Sequence, residues 1–593
     1  MSRPLALHWT WLLTLLFGAL ALLYGVTTPP WEASDELGHY DYVRHLVQSR
    51  TFLRQSVDQP NLGHHPPLYY LIAGAFAWPA DMSDAATAPV FNALYVNANN
   101  GGHDPNVAVH TTALTFPWSG QALALHLARV ASALIGVATT AAAAAAARLA
   151  FARWTAVLLA VGLVAFDPEL AFVHGAITND ALAGLAGSLV FLQTLRAVRG
   201  PARLAGWAWV GVWLAVGLLA KSSLVAAAGA VGMVVLWLGW RAHSARLVGR
   251  AVAAIGMPVV ALSGWWFVRN QLLYGDPLGY GVYRKAWWPS LRTAPLRLSD
   301  LVEFVTFQFR SFWAWFGWLT VPGPRWFHLA ALALCLVAVV GLLRLALGQR
   351  RELLGADGRC ALGLAALFLV VQEAYMVTVI LDCNSSCYQG RYLFPVVAPI
   401  GLLLGAGVAA ALPNVALPAV APALVAGLFA VAAWTPFGVI LPAYNLVPME
   451  KWQVARLPAD PPTRVGSAFD LISHDAQPAA GGKLAVTLYW RAAQKPDFDY
   501  SAFVHLIDDG GNLLAQKDQG PGAPRGFPPK SWSVGDVVAD EHDLDVGSLP
   551  PGRYRVRVGL YNWANGQQLL VVRDGQPVGT FLILPEPVEL PVR

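Results

Sequence analysis

Long apolar runs separated by short polar turns fill the first three quarters of the chain. Windows of about 17–25 apolar residues mark membrane-crossing helices. They are expected near residues 7–27, 123–147, 154–168, 181–196, 204–220, 223–240, 251–268, 326–346, 361–381, 391–411 and 417–440, about eleven spans in all. The first run reads as a retained span, because Pro29-Pro30-Trp31-Glu32 follows it instead of a small-residue cleavage site. Pro67 to Ala80 is apolar but too short to span, and is expected to lie in the interface with Tyr69, Tyr70 and Trp78 in the aromatic belt. After about residue 455 the pattern changes to strict alternation, as in Leu484–Trp490 and Tyr554–Tyr561. Turn signals such as Asp509-Gly510-Gly511-Asn512 and Asn565-Gly566 separate these runs. The pattern predicts an antiparallel β-sandwich. The expected fold is therefore a polytopic helical membrane domain, 1–440, followed by a β-sandwich domain, 441–593.

Composition supports the membrane assignment. Of 593 residues, 56% are hydrophobic and 13% charged, against about 25% charged in soluble domains. Mean hydropathy is +0.48. The net charge of +5 needs no nucleic-acid partner, since an Arg excess in cytoplasmic turns accounts for it. With the N-terminus cytoplasmic, those turns carry Arg148 and Arg153; Arg196, Arg199 and Arg203; Arg241, Arg246 and Arg250; and Arg344, Arg350, Arg351 and Arg359. Loops 28–122 and 269–325 and the β-domain then face outward from the plasma or inner membrane. Cys383 and Cys387 share a short outer loop, where a disulfide is permitted but not dictated.

The candidate chemistry lies at the outer rim. Directly after the first span comes Ser34-Asp35-Glu36-Leu37-Gly38-His39. Asp35 and His39 share a face if this segment is helical. A carboxylate here suits general-base work or a divalent cation, with Glu36, His39 and His64 as candidate ligands. The competing assignment is that Ser34 or Asp35 caps a helix running to Arg50. His64-His65-Pro66-Pro67-Leu68-Tyr69-Tyr70 follows; its paired histidines suit a metal or an anionic headgroup. Lys221, Arg269, Arg391 and Arg129 are basic residues on the outer side, against the general trend. They are candidate phosphate ligands, or simply span anchors. The turn Asp167-Pro168-Glu169 through Thr178-Asn179-Asp180 either lines the same cavity or is solvated. Glu373, inside a span, calls for a buried partner or a role. No phosphate loop or dinucleotide fingerprint is present, and no cytoplasmic segment is large enough to hold a nucleotide sugar.

The order of these motifs resembles the GT-C class of membrane glycosyltransferases, which includes the protein O-mannosyltransferases and the aminoarabinose transferase of lipid A. The resemblance rests on Asp35-Glu36, His65-Pro66-Pro67-Leu68-Tyr69-Tyr70 and Ala128-Arg129-Val130-Ala131-Ser132. Thr178-Asn179-Asp180, Trp266-Phe267-Val268-Arg269-Asn270 and Gln389-Gly390-Arg391-Tyr392 extend it, over about residues 5–410. It implies a polyprenyl-phosphate-linked sugar donor and a glycan, lipid or protein acceptor at the outer face. It also implies inverting displacement, with Asp35, beside Glu36, as the loop-one carboxylate. Lys221, Arg269 and Arg391 would steady the leaving phosphate, and Arg129, His39, His65, Tyr69, Asn179 and Asp180 would complete the substrate site. Relatives often carry a Glu shortly before the Pro-Pro pair, where this chain has Leu62-Gly63-His64-His65. That departure leaves open both the metal and whether His64 or Asp58 replaces the Glu. The competing readings are a transporter or flippase for a lipid-linked sugar, which would place its polar sites near the midplane where this chain crowds them at the outer rim, and a non-catalytic envelope assembly protein.

Overall fold

A computed structural model of the protein describes residues 3–92, 95, 105–444, 448–449, 451–458, 461–525 and 527–591. It forms two compact units. One contains residues 1–83 and 123–443; the other contains 84–122 and 444–593.

Each expected span is helical. Nine helices among the described residues are long and apolar enough to cross a membrane alone. Trp154–Ala165 and Pro168–His174 reach spanning length only together, as a pair bent by 56° that forms either a broken span or a re-entrant loop. Leu204–Ala220, expected as a further span, has 17 residues and falls among the shorter apolar helices, so nine or ten crossings stand in place of the expected eleven. The bend has a local cause. Asp167 Oδ1 accepts the backbone N–H groups of Glu169 and Leu170, and Pro168 occupies the first turn, so a new helix starts there. Leu68–Ala77 is a ten-residue helix, too short to cross. The aromatic-belt expectation fails for two of its tyrosines: Tyr69 and Tyr70 are fully buried, and only Trp78 is exposed. Both tyrosine hydroxyls reach buried polar partners within the helical unit, which a membrane interface would not supply. Glu373 has the partner that its depth calls for, the Gln308 amide at 3.2 Å.

The second unit is an antiparallel sandwich. One sheet runs Gln576–Gly579, Val571–Arg573, Thr463–Val465, Phe469–Ala479, Lys483–Ala492, Val537–Asp545 in spatial order. The other runs Leu582–Ile583, Gly552–Tyr561, Ser501–Ile507, Leu513–Gln519, with Val588–Leu590 also pairing Gly552–Tyr561. Burial alternates residue by residue along Lys483–Ala492, as a two-residue side-chain period demands. Both sheets contribute to one core around Phe469, Trp490, Trp532, Val504 and Val558. Each such side chain, fully buried, stabilises the fold by about 1.5–3 kcal/mol. The boundary differs from the expected one in one respect: part of loop 28–122 belongs here. Val109 joins the sandwich core, and Thr112 donates to Asp536 at 2.6 Å. Its apolar residues are too scattered to announce this.

Candidate active site

The first helix, Arg3–Thr27, ends in a turn that holds two non-glycine residues in left-handed backbone, Trp31 (φ 73°) and Asp35 (φ 60°). Such conformations cost about 1–3 kcal/mol each and persist where surroundings impose them. Asp35 occupies the position before helix Glu36–Ser49, yet its side chain makes no capping bond. It turns instead to Arg391, with which it forms an ion pair. Arg391 Nη1 also donates to the Ser34 carbonyl at 3.3 Å, and its Nε lies 3.6 Å from Asp180 Oδ2. Asp180 Oδ1 in turn accepts from Lys221 Nζ at 2.5 Å. Lys221 lies over the Tyr392 ring, 4.6 Å from its centroid. Four charged groups from four separate helix ends thus form one alternating cluster, Asp35–Arg391–Asp180–Lys221.

Local structure fixes these positions. Thr178 caps helix Asn179–Val198 by accepting the Asp180 N–H, which sets Asp180 on the first turn. Lys221 ends helix Leu204–Ala220. Gly390 lets the chain pass closely beside helix Leu298–Trp313: a Cβ there would lie 2.2 Å from the Phe312 nitrogen. Gly390 N–H donates to Ser311 Oγ at 2.8 Å, and the next residue is Arg391. Exposure grades the cluster. The Asp180 side chain is 2% exposed, Arg391 6%, Lys221 14% and Asp35 38%. Asp35 is therefore its accessible member. Its recessed seat raises its carboxyl, but Arg391, His39 and Lys221 outweigh that and hold it below the usual carboxylate range.

Histidines and tyrosines wall one side. His39 Nδ1 lies 2.8 Å from the Tyr70 hydroxyl, and Asn179 donates to His65 Nδ1 at 3.2 Å. His64 Nδ1 pairs with Gln55 Oε1 at 2.8 Å. Tyr69 bonds Ser132 Oγ and accepts the Thr178 N–H. Burial pushes His39 down to about 4, with Asp35 partly opposing it, and pushes His64 down to about 3. Burial and the neighbouring histidines hold His65 well below its ordinary value. All three are neutral at pH 7. The unfolded chain takes up a proton at the His39 imidazole near pH 6.5; the folded protein does not until about pH 4, and at His64 not until about pH 3. Stability is therefore full above about 6.5 and falls as pH drops towards 4, by up to about 1.4 kcal/mol per pH unit per histidine. Thermal melting in detergent between about pH 8 and about pH 4.5 checks this. A melting temperature that stays level below about pH 6.5 would contradict the neutral assignment.

Three expected site residues stand apart from the cluster. Glu36 and Arg129 are fully engaged with each other: Arg129 Nε and Nη2 bond Glu36 at 2.8 and 2.6 Å. Arg129 also holds the carbonyls of Gly25, Thr28 and Pro29, and Glu36 accepts the Ile177 N–H. The five donors of Arg129 make five bonds, so it has none left for substrate in this arrangement. The pair instead joins the end of the first helix to helices Glu36–Ser49 and Gly120–Ala150. Arg269 bonds Asn270 and the Leu53 carbonyl and stacks on Trp266, pinning the two loops together. Glu36, His39 and His64 do not converge as a ligand set, and among the described residues no group of three or more His, Cys, Asp or Glu is placed to hold a metal. Tyr392, whose ring touches both Lys221 and Arg391, is a site residue that no sequence signal marks beyond its place next to Arg391. Cys383 and Cys387 are joined as a disulfide.

No family model and no curated protein matches the chain. Among solved structures, the chain is similar to ArnT from Cupriavidus metallidurans. The crystal structure of ArnT bound to undecaprenyl phosphate matches with 13% identity over 74% of each chain and a TM-score of 0.43. The apo structure matches with 15% identity over 72% of this chain and 73% of that one, with a TM-score of 0.42.

Proposed function

We propose that this protein transfers a sugar from a polyprenyl-phosphate donor to an acceptor hydroxyl at the outer face of the membrane. The observation that supports this reading best is the convergence of Asp35, Asp180, Lys221 and Arg391 at the shared end of four helix segments. The order of motifs along the chain, which resembles the GT-C class, supplies the donor class. In the resting cluster two cations balance two carboxylates. An arriving phosphate competes for the N–H groups of Arg391 and Lys221. As Arg391 turns to phosphate, Asp35 loses its main partner, and its carboxylate becomes more basic. It then orients the acceptor hydroxyl and takes its proton. The acceptor oxygen bonds the anomeric carbon from the face opposite the phosphate. The bond from that carbon to the phosphate oxygen breaks, and polyprenyl phosphate leaves with the electron pair. One displacement inverts the anomeric centre.

Phosphate binding is tested apart from chemistry. Lys221→Gln and Arg391→Lys are each expected to weaken undecaprenyl phosphate binding by about 10- to 100-fold, the contribution of one charged hydrogen bond. Arg391→Lys keeps the charge but loses the planar fork. Titration of the lipid into protein held in nanodiscs measures this. Unchanged affinity in both variants would remove the cluster from phosphate recognition.

A further inference from the structure

The disulfide Cys383–Cys387 stands shortly before Arg391, in the connection between helix Gly358–Asp382 and the segment Gly390–Val396. Its two halves are held unequally. Cys383 is 5% exposed and anchored by backbone bonds. It bridges Leu291, and its N–H donates to the Val379 carbonyl at 2.9 Å. On either side of it, the Asp382 carbonyl accepts the Arg292 N–H at 2.9 Å, and the Asn384 N–H donates to the Ser290 carbonyl at 3.0 Å. Cys387 is only half-buried. Its N–H closes one short turn on the Asn384 carbonyl at 3.1 Å, and its carbonyl accepts the Gln389 N–H at 3.0 Å. The sulfur bond therefore carries the anchorage of Cys383 across to Cys387. Cys387 passes it to Gln389 and, through Gly390, to Arg391. Tyr388 has separate support: it is buried against Phe304, Met376 and Ile380, and its hydroxyl accepts from Arg292. Opening the sulfur bond thus loosens the backbone leading to Arg391 without unfolding the loop. The chain has four cysteines. The other two, Cys335 and Cys360, are free and lie in helices Arg325–Ala346 and Gly358–Asp382, so a reductant has this one bond to act on.

We infer that Cys383–Cys387 is a thiol–disulfide exchange site through which a dithiol reductant on that side of the membrane lowers the phosphate affinity of the charge cluster. This rests on the phosphate reading above, in which Arg391 binds the lipid phosphate. A thiolate of the dithiol attacks the sulfur of Cys387, the less buried partner. The bond to Cys383 breaks, and Cys383 leaves with the electron pair and takes a proton. The second thiolate of the dithiol then attacks its own partner sulfur in the mixed disulfide, and Cys387 leaves and takes a proton. The cysteine pair gains two electrons and two protons, and the dithiol loses them as it closes its own disulfide. In the reduced protein, Arg391 holds its phosphate-binding pose in only a fraction of molecules. The apparent dissociation constant rises by the inverse of that fraction. Cys383 and Cys387 touch no substrate; they position Arg391.

The test titrates undecaprenyl phosphate into wild type in nanodiscs, oxidised and after treatment with dithiothreitol. Thiols are counted by alkylation and mass, and melting is followed for each state. Reduced protein is expected to bind about tenfold more weakly, as when about one molecule in ten holds the competent pose. It should keep a cooperative melt and regain full affinity on reoxidation. The double variant Cys383→Ser with Cys387→Ser should match reduced wild type and ignore dithiothreitol. In Arg391→Lys the redox effect should shrink to less than about twofold, because the bond acts through the Arg391 fork. Equal affinity in both redox states with both thiols confirmed, or a redox effect that survives Arg391→Lys in full, overturns the inference and leaves the phosphate site standing. So does loss of the cooperative melt on reduction, which would make the bond a staple of the fold alone. Oxidised wild type that does not bind the lipid, or binds it as tightly with Lys221→Gln and Arg391→Lys in place, sinks the phosphate reading and this inference with it.

Discussion

Asp35→Asn is expected to lower turnover of a polyprenyl-phosphate sugar by about 10²- to 10⁴-fold, the usual contribution of a positioned general base. Asparagine keeps the size and shape of the side chain and still accepts a hydrogen bond from Arg391, but it cannot take a proton. The side chain is 38% exposed, so the exchange buries no new unpaired group and the fold should melt near the wild-type temperature. Affinity for bare undecaprenyl phosphate should change little or rise, because Asp35 competes with phosphate for Arg391. The signature is thus a loss in kcat without a loss in lipid binding. If the variant turns over like wild type, Asp35 has no place in the chemistry and its left-handed backbone is a feature of the turn alone.

Arg129→Ala is expected to act on stability instead, destabilising the protein by about 3–5 kcal/mol, since it leaves a buried carboxylate without its partner. Glu36 is fully buried, and three carbonyls at the end of the first helix lose their donor. Arg129→Lys should rescue poorly, because an ammonium has three donors for five acceptors. Melting temperature and the yield of monodisperse protein measure the effect. A variant that melts like wild type but no longer binds undecaprenyl phosphate would return Arg129 to the role of a phosphate ligand.

The helices were legible because an apolar window of spanning length is hard to accommodate anywhere but in a bilayer. The sandwich was legible because alternation survives residue by residue in strands such as Lys483–Ala492. Lys221, Asp180 and Arg391 stood out as charges at span ends. Their pairing did not: Asp35 and Arg391 are 356 positions apart, and no local period encodes such a contact. The same limit hides the pairing of Glu36 with Arg129, which lie 93 positions apart. Tyr69 and Tyr70 carry hydroxyls that suit an interface equally well, and only the packing of Leu68–Ala77 decides that they face inward.

Whether this site breaks the bond between a sugar and a lipid phosphate can be read from the lipid product. Purified wild-type protein in nanodiscs is incubated with each undecaprenyl-phosphate sugar and an acceptor extract, and free undecaprenyl phosphate is measured. Acceptor-dependent release from at least one donor is expected. No release from any donor, together with transfer of the intact lipid-linked sugar across a vesicle membrane, would refute the transferase reading and make the protein a transporter.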